Sequence, residues 1–368
     1  MTFNLYLQKA LALLVSIFAL PALAVDEPMG AFQVEVRASG LNYPWALAEL
    51  PDGRLLVTEK TGALKLIDQQ GQVTKVSGVP DVFVKGQGGL MDLVLHPQYA
   101  SNGWLYISYA HGNAEANHLR VMRARLQEGR LTESQILFTA MPAKATPVHY
   151  GARMAFLGDG SLVIASGDGF DYREQAQNPA SHLGKLIRLN DDGSVPSDNP
   201  VFSDGADGLY SLGHRNPQGL AWDPIRKRLF ANEHGPAGGD EINQIVAGKN
   251  YGWPVITQGK DYSGANISPF RDYPGMQHLL VDWTPSVAPS SLVVYRGQMF
   301  PELTGDLLST TLVSHDVRRV VLQQGVVVRQ DALFSAIAGR LRDIHIGAQG
   351  QLYLLSDGEN GKVLEIRR

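Results

Sequence analysis

Three groupings of polar side chains in this sequence are of types that do chemistry. The first is His149 in "TPVHYGARM" and Asp168 in "SGDG", which flank the apolar run "LVIAS". A hairpin through that segment returns its two ends to one place, so the imidazole and the carboxylate can meet. A carboxylate on one ring nitrogen fixes the tautomer and raises the basicity of the other, the arrangement of a general base. The plainer alternative is a structural or solvated histidine. The second grouping is "EHGPAGGDEIN". Gly235, Pro236, Ala237, Gly238 and Gly239 force an irregular loop with available carbonyls, and Asp240 and Glu241 follow at once. Carbonyl and carboxylate oxygens are hard ligands, and Ca2+ is the ion that suits them; "NYGWP" from Asn250 offers more loop carbonyls. No EF-hand spacing is present, and a glycine-rich turn with a solvated acidic pair is the alternative. The third grouping is "GRLRDIHI", in which Arg340 and Arg342 alternate with Leu341. On a strand they share one face. Arg215, in "SLGHRNPQGLAWD", would make a third guanidinium if the loops converge. Three guanidiniums suit a polyanionic small molecule; a surface stripe is the bland account.

Such groups need a scaffold that gathers distant loops. After residue 24 there is no sustained helical periodicity. Short alternating runs bounded by Gly, Asp, Asn and Pro dominate, which is a β pattern. A phrase of turn, apolar strand, loop and second strand recurs from Pro51, Ala100, Leu157, Pro224, Phe300 and Gly347, at intervals of about 45 to 80 residues. Six such phrases predict an all-β chain folded as a six-bladed β-propeller, with four-stranded antiparallel blades around a central channel. Each phrase would be the middle hairpin of a blade. "FQVEVRAS" at Phe32 is the candidate strand that joins the last blade and closes the ring. Residues 248–300 predict long loops in the fourth and fifth blades. A parallel α/β fold would need amphipathic helices that the sequence lacks; an unclosed β-sandwich array is the competing architecture.

The chain has 368 residues, a net charge of −4 and no long run of one charge, which argues against nucleic acid or anionic membrane as partner. With no cysteine, disulfides, thiolate catalysis and Cys-ligated metal centres are excluded. The first 24 residues read as a secretory signal peptide: Lys9, an apolar run from Ala10 to Leu20, then Pro21 and the small-x-small site Ala22-Leu23-Ala24. Residues 25–368 are then a single mature domain, expected in the periplasm, with no further membrane span.

Taken together, "HYGARM", "GHRNPQGLAW", "EHGPAGGDEIN", "NYGWP", "TPSVAPSS" and "GRLRD" resemble the soluble six-bladed quinoprotein sugar dehydrogenases, the periplasmic aldose sugar dehydrogenases above all, and soluble glucose dehydrogenase more distantly. The resemblance runs from Gln87 to Arg342. It implies pyrroloquinoline quinone (PQQ) and calcium as cofactors, and oxidation of an aldose at the anomeric carbon to a lactone. It implies His149 as general base, paired with Asp168, and Gln87 as a glutamine of the cofactor pocket near that base. It implies Arg215 and Asn216 at the quinone oxygens, with Gln218 holding their loop, Tyr262 beside the cofactor, and Arg340 and Arg342 on its carboxylates. Gly235 and Pro236 would ligate a calcium on the cofactor through their carbonyls; Glu241 and the Tyr251 carbonyl would hold a second, structural calcium. One departure stands out: Val313 occupies a position where the family often has a lysine. The chain has no haem-binding motif, so electrons would leave to a separate acceptor; the protein is expected as a monomer or homodimer. A metal-dependent sugar-lactone hydrolase, which would not need the three arginines, and a non-catalytic ligand-binding propeller are the competing readings.

Overall fold

The structure is a computed structural model and describes residues 31–337 and 339–368; the expected signal segment lies outside the described residues. Six four-stranded antiparallel sheets are present among the described residues, and each is a blade. Their innermost strands are Pro44–Glu49, Leu90–Leu95, Gly151–Phe156, Pro217–Asp223, Pro289–Val294 and Leu341–Ile346, in blades one to six. Each packs against the innermost strand of the next blade, all the way round. The last blade takes its outer strand from the chain's start: Gln33–Leu41 pairs antiparallel with Gly361–Arg367, with Gln33 opposite Arg367. The strand expected from "FQVEVRAS" therefore closes the ring by completing the last blade. Each recurrent phrase lies in the middle of its blade, as expected. The long loop differs from expectation. It lies wholly within blade four, between strands Asp240–Ile245 and Val281–Trp283, and blade five begins directly afterwards.

Burial follows from packing sheets face to face. Second strands such as Leu55–Glu59 and Leu162–Ser166 are buried along their whole length, because neighbouring blades cover both faces. Near the axis, Arg153 ties five blades together. It pairs with Asp92 (3.0 Å) and Asp343 (2.8 Å), donates through Nε to the Gln218 carbonyl (2.8 Å), and lies 4.1 Å over the Trp45 ring. Asp343 in turn accepts from the Leu47 N–H (2.8 Å). A buried cation facing two buried carboxylates compensates charge that none could carry alone.

Two features aim side chains at one face. Every innermost strand begins on the same side, so the six inner starts and the six ends of the second strands gather there. In addition, the pairing of first and second strands shifts register within the opening residues of all six blades: at Pro44/Ala46, Leu90/Leu93, Gly151/Met154, Pro217/Gly219, Pro289/Leu292 and Leu341/Asp343. A bulge bends the strand and redirects the residues beside it.

Candidate active site

The residues singled out in the sequence gather at that face, around three adjoining chambers. The first, of about 220 Å³, contains His149, Asp168, Arg215, Pro236 and Tyr262. His149 precedes the first strand of blade three and Asp168 follows the second, so the hairpin joins them: Nδ1 lies 2.7 Å from Asp168 Oδ1. Asp168 is buried. It also accepts from the Phe170 N–H (2.8 Å) and, through Oδ2, from the Trp253 indole N–H (2.8 Å). With a carboxylate as acceptor, Nδ1 carries the proton and Nε2 the lone pair. Among the described residues Nε2 has no hydrogen-bond partner.

The electrostatics keep this pair as neutral imidazole and carboxylate at neutral pH. Burial holds His149 below the ordinary histidine value, outweighing Asp168, with Arg215 and Lys144 adding to the depression. Burial works to raise Asp168, but the hydrogen bond and charge of His149, with Arg215, hold it below the usual carboxylate value. The backbone is also committed. His149 has φ of 50° and Phe170 of 69°, in the left-handed region that such residues seldom adopt. Gln87 secures the first: its Oε1 accepts the His149 N–H (2.7 Å).

The second chamber, of about 550 Å³, is the mouth of the central channel. It is lined by Gln87, Asn216, Gln218, Arg340 and Arg342, among others. Arg340 and Arg342 do share one side, and both reach Asp357 Oδ2, at 2.9 and 3.4 Å. Arg342 is recessed, and its Nε is buried without a partner. Asn216 is buried; its Oδ1 accepts from the Gly151 N–H (3.1 Å) and from Gln218 Nε2 (3.2 Å), so Gln218 holds this turn. The three guanidiniums do not form one cluster. Arg215 turns away from the mouth and donates to the carbonyls of Gly235 (2.7 Å) and His234 (3.1 Å), with its guanidinium 5.3 Å from the Trp253 ring. His234 stands between the chambers; burial pushes it down to about 3, and its Nε2–H donates to the Pro289 carbonyl (2.7 Å).

The third chamber, of about 250 Å³, brings Gly235, Glu241 and Tyr251 together with Glu233 and Arg215. Glu233 was not expected from the sequence. It is the cross-strand partner of Glu241, and Asp282 is the partner on the other side, so three acids run across three strands. Burial pushes Glu241 well above the ordinary carboxylate value, and the facing Glu233 adds to the rise. Like charges opposite one another destabilise a sheet unless a cation offsets them. Asp240 points elsewhere: it accepts from the N–H groups of Gly235 (2.9 Å) and Ala288 (2.7 Å) and shapes the loop. Among the described residues, no group of three or more His, Asp or Glu side chains forms a metal site. A calcium here would therefore draw on loop carbonyls as well as carboxylates. His214, the histidine of the "GHRNPQ" turn, is fully buried, bonded to Glu233 and Ser211 and stacked on Tyr251; it is structural.

Two further residues were not anticipated. Phe170 is 42% exposed, edge-on to His149 at 5.2 Å and stacked with Tyr262 at 6.3 Å. Tyr262 itself is 65% exposed and belongs to the His149 chamber rather than to the channel mouth. The sequence signal for Phe170 was only its place two residues after Asp168. The other is Lys60, on the wall of the channel mouth.

Comparison with known proteins bears on the family and the fold. Residues 41–365 match the family model for glucose/sorbosone dehydrogenases. Aldose sugar dehydrogenase YliI of Escherichia coli is 36% identical over 364 residues, covering 95% of this chain and 98% of that protein. The crystal structure of the soluble aldose sugar dehydrogenase from Escherichia coli, in the apo-form, superposes with a TM-score of 0.87 at 36% identity, over 91% of this chain and 99% of that one. The PQQ-bound form of aldose sugar dehydrogenase from Streptomyces coelicolor gives a TM-score of 0.75 at 29% identity, over 93% of this chain and 100% of that one.

Proposed function

Because the chain belongs to the glucose/sorbosone dehydrogenase family, we propose that it is a PQQ-dependent aldose dehydrogenase that oxidises the anomeric carbon of a sugar to the lactone. The observation that carries this reading is the buried His149–Asp168 pair, whose free Nε2 faces a chamber beside a cationic channel mouth. The residues at that mouth fit PQQ: Arg342 has an unsatisfied buried Nε, and Arg340 beside it provides a second guanidinium for carboxylate groups. Asn216 and Gln87 line the same space, while Arg215 and Tyr262 line the His149 chamber. When bound, the quinone supplies a two-electron acceptor for the hydride of the anomeric carbon.

The chain's own part is deprotonation and positioning. His149 Nε2 takes the proton of the anomeric hydroxyl while the C–H electron pair leaves as hydride, so a C=O bond forms and the lactone results. Asp168 stabilises the ring as it becomes imidazolium and keeps Nε2 aimed at the substrate. Phe170 and Tyr262 present an aromatic wall to the apolar face of a sugar ring. The carbonyls of Gly235 and Pro236 would be oxygen donors for a calcium on the cofactor, and Glu241, Glu233 and the Tyr251 carbonyl would hold a second calcium that offsets the buried acidic pair. In the cell we place the mature chain, residues 25–368, in the periplasm, with a separate electron acceptor. Adding PQQ and Ca2+ to purified apo-protein and assaying an aldose panel with an artificial dye tests the reading. Cofactor-dependent dye reduction with at least one aldose is expected; none with any aldose, under saturating cofactor, would overturn it.

A further inference from the structure

The channel mouth holds a cation that neither the motifs nor the proposed reaction uses. Lys60 follows the second strand of blade one, Leu55–Glu59, and lines the chamber together with Arg340 and Arg342. Its place is set by three contacts. The Lys60 N–H donates to the Tyr43 carbonyl (2.9 Å), the Lys60 carbonyl accepts from the Leu90 N–H (3.2 Å), and Nζ donates to the Gly86 carbonyl (3.2 Å). Nζ also lies 4.9 Å from the Tyr43 ring centre. Gly89 crosses so close that a Cβ there would stand 1.9 Å from the Lys60 carbonyl oxygen, so the segment has no room to withdraw.

Charge within the lining is unbalanced. Lys60, Arg340 and Arg342 are the cations, and Asp357 is the single carboxylate among the lining residues. Asp357 is already engaged by both arginines. Among the described residues Lys60 has no carboxylate within ion-pair distance and is half-buried; burial depresses it, the charge of Asp357 partly offsets this, and the neighbouring Arg342 adds to the depression. A half-buried cation near Arg342, bonded to a neutral carbonyl and set over a ring, gains when an anion enters the chamber. Val313, the position at which a lysine was missing, follows the lining residue Leu312 and is 59% exposed on the rim.

On the premise that the chamber takes PQQ, we propose that Lys60 is a further cofactor-binding residue, contacting a carboxylate of the bound quinone from blade one, beside the arginines of the neighbouring blade six. Three carboxylates then meet three cations, and the lysine absent at Val313 is replaced from another blade. The Lys60 backbone is pinned on both sides, so its side chain leaves the wall from a fixed point.

Direct titration of the apo-protein with PQQ in Ca2+, followed by protein fluorescence quenching, tests this without any turnover. Lys60→Met is expected to weaken binding about tenfold, the scale of one charge-assisted contact. It should also flatten the dependence of binding on salt, which a purely structural role would leave unchanged. Lys60→Arg, which keeps the charge, should bind within about threefold of the wild type. If Lys60→Met fails to melt cooperatively, Lys60→Gln replaces it. Wild-type binding with an unchanged dissociation constant and salt slope in the Met or Gln variant would overturn the role of Lys60 while leaving the quinone reading intact. No binding by the wild type would remove the quinone reading and this contact with it.

Discussion

At the scale of single residues, His149 combines three conditions that a base needs. It is neutral, it is oriented by Asp168, and its second nitrogen is free. Its pH behaviour follows from the direction of its shift. Burial lowers the folded-state value below the ordinary ~6.5. The active neutral form then predominates above that value, and kcat/KM should rise with pH along an acid limb centred below ~6.5 and level off beyond it. A limb centred above pH 7.5 would contradict the assignment. The same shift bears on stability: protonation is disfavoured in the fold, so this residue costs stability only as pH falls below the ordinary histidine range. Asp168→Asn removes the acceptor that sets the tautomer and should cut kcat by about 10²- to 10⁴-fold while leaving PQQ binding within a few-fold. The pairing of His149 with Asp168 was legible in the sequence, because a short hairpin returns its ends to one place. Glu233 and Lys60 were not. Each gains its place from a partner on another strand or blade, and no local spacing records that register.

At the scale of elements, the site depends on where strands begin and how closely loops cross. Gly167 lies between the His149 loop and the Asn216 turn: a Cβ there would stand 2.4 Å from the His149 carbonyl oxygen and 3.0 Å from Asn216 Oδ1. Gly167→Ala should therefore displace both loops. A destabilisation of about 1–3 kcal/mol is expected by thermal melting, together with a fall in kcat/KM of about 100-fold from misplacing the base. An alanine variant with unchanged melting temperature and kcat/KM would show that the two loops tolerate separation. The strands themselves were readable from alternation and turn residues, and the ring-closing strand from its position before the first blade. The repeated register shift at the start of each inner strand was not, since a bulge is a matter of pairing between strands. Nor was the turn of Arg215 toward Gly235 and Trp253, away from Arg340 and Arg342, since the carbonyls of His234 and Gly235 that accept its N–H groups lie beyond the next strand. The long insertion was seen in the sequence but divided between two blades, because its end carries no turn signal stronger than those within it.

At the scale of the whole molecule, six blades converge on an axis plugged by Arg153 and open at one face, where the chambers meet. Closure by the first strand means that this face is assembled only when the ring is complete, so cofactor binding and global folding are coupled. Ligands that bind the native state alone raise its stability by RT ln(1 + [L]/Kd), about 2.7 kcal/mol at a hundredfold excess over Kd. Calcium acting at the Glu233–Glu241 pair should accordingly raise the melting temperature, and chelation should lower it; no change in either direction would remove the ion from that chamber. All three scales meet in the proposed reaction, in which an aldose is oxidised at a quinone held in the channel mouth and His149 takes the proton. It is tested most directly by mixing an aldose anaerobically with PQQ- and Ca2+-loaded protein, without any added acceptor, and following the absorbance of the bound cofactor. One equivalent of lactone per bound quinone, formed with reduction of the cofactor and slowed about 10²- to 10⁴-fold in His149→Gln, is the predicted result. Cofactor that binds but is not reduced by any aldose, or reduction at an equal rate in His149→Gln, would contradict it.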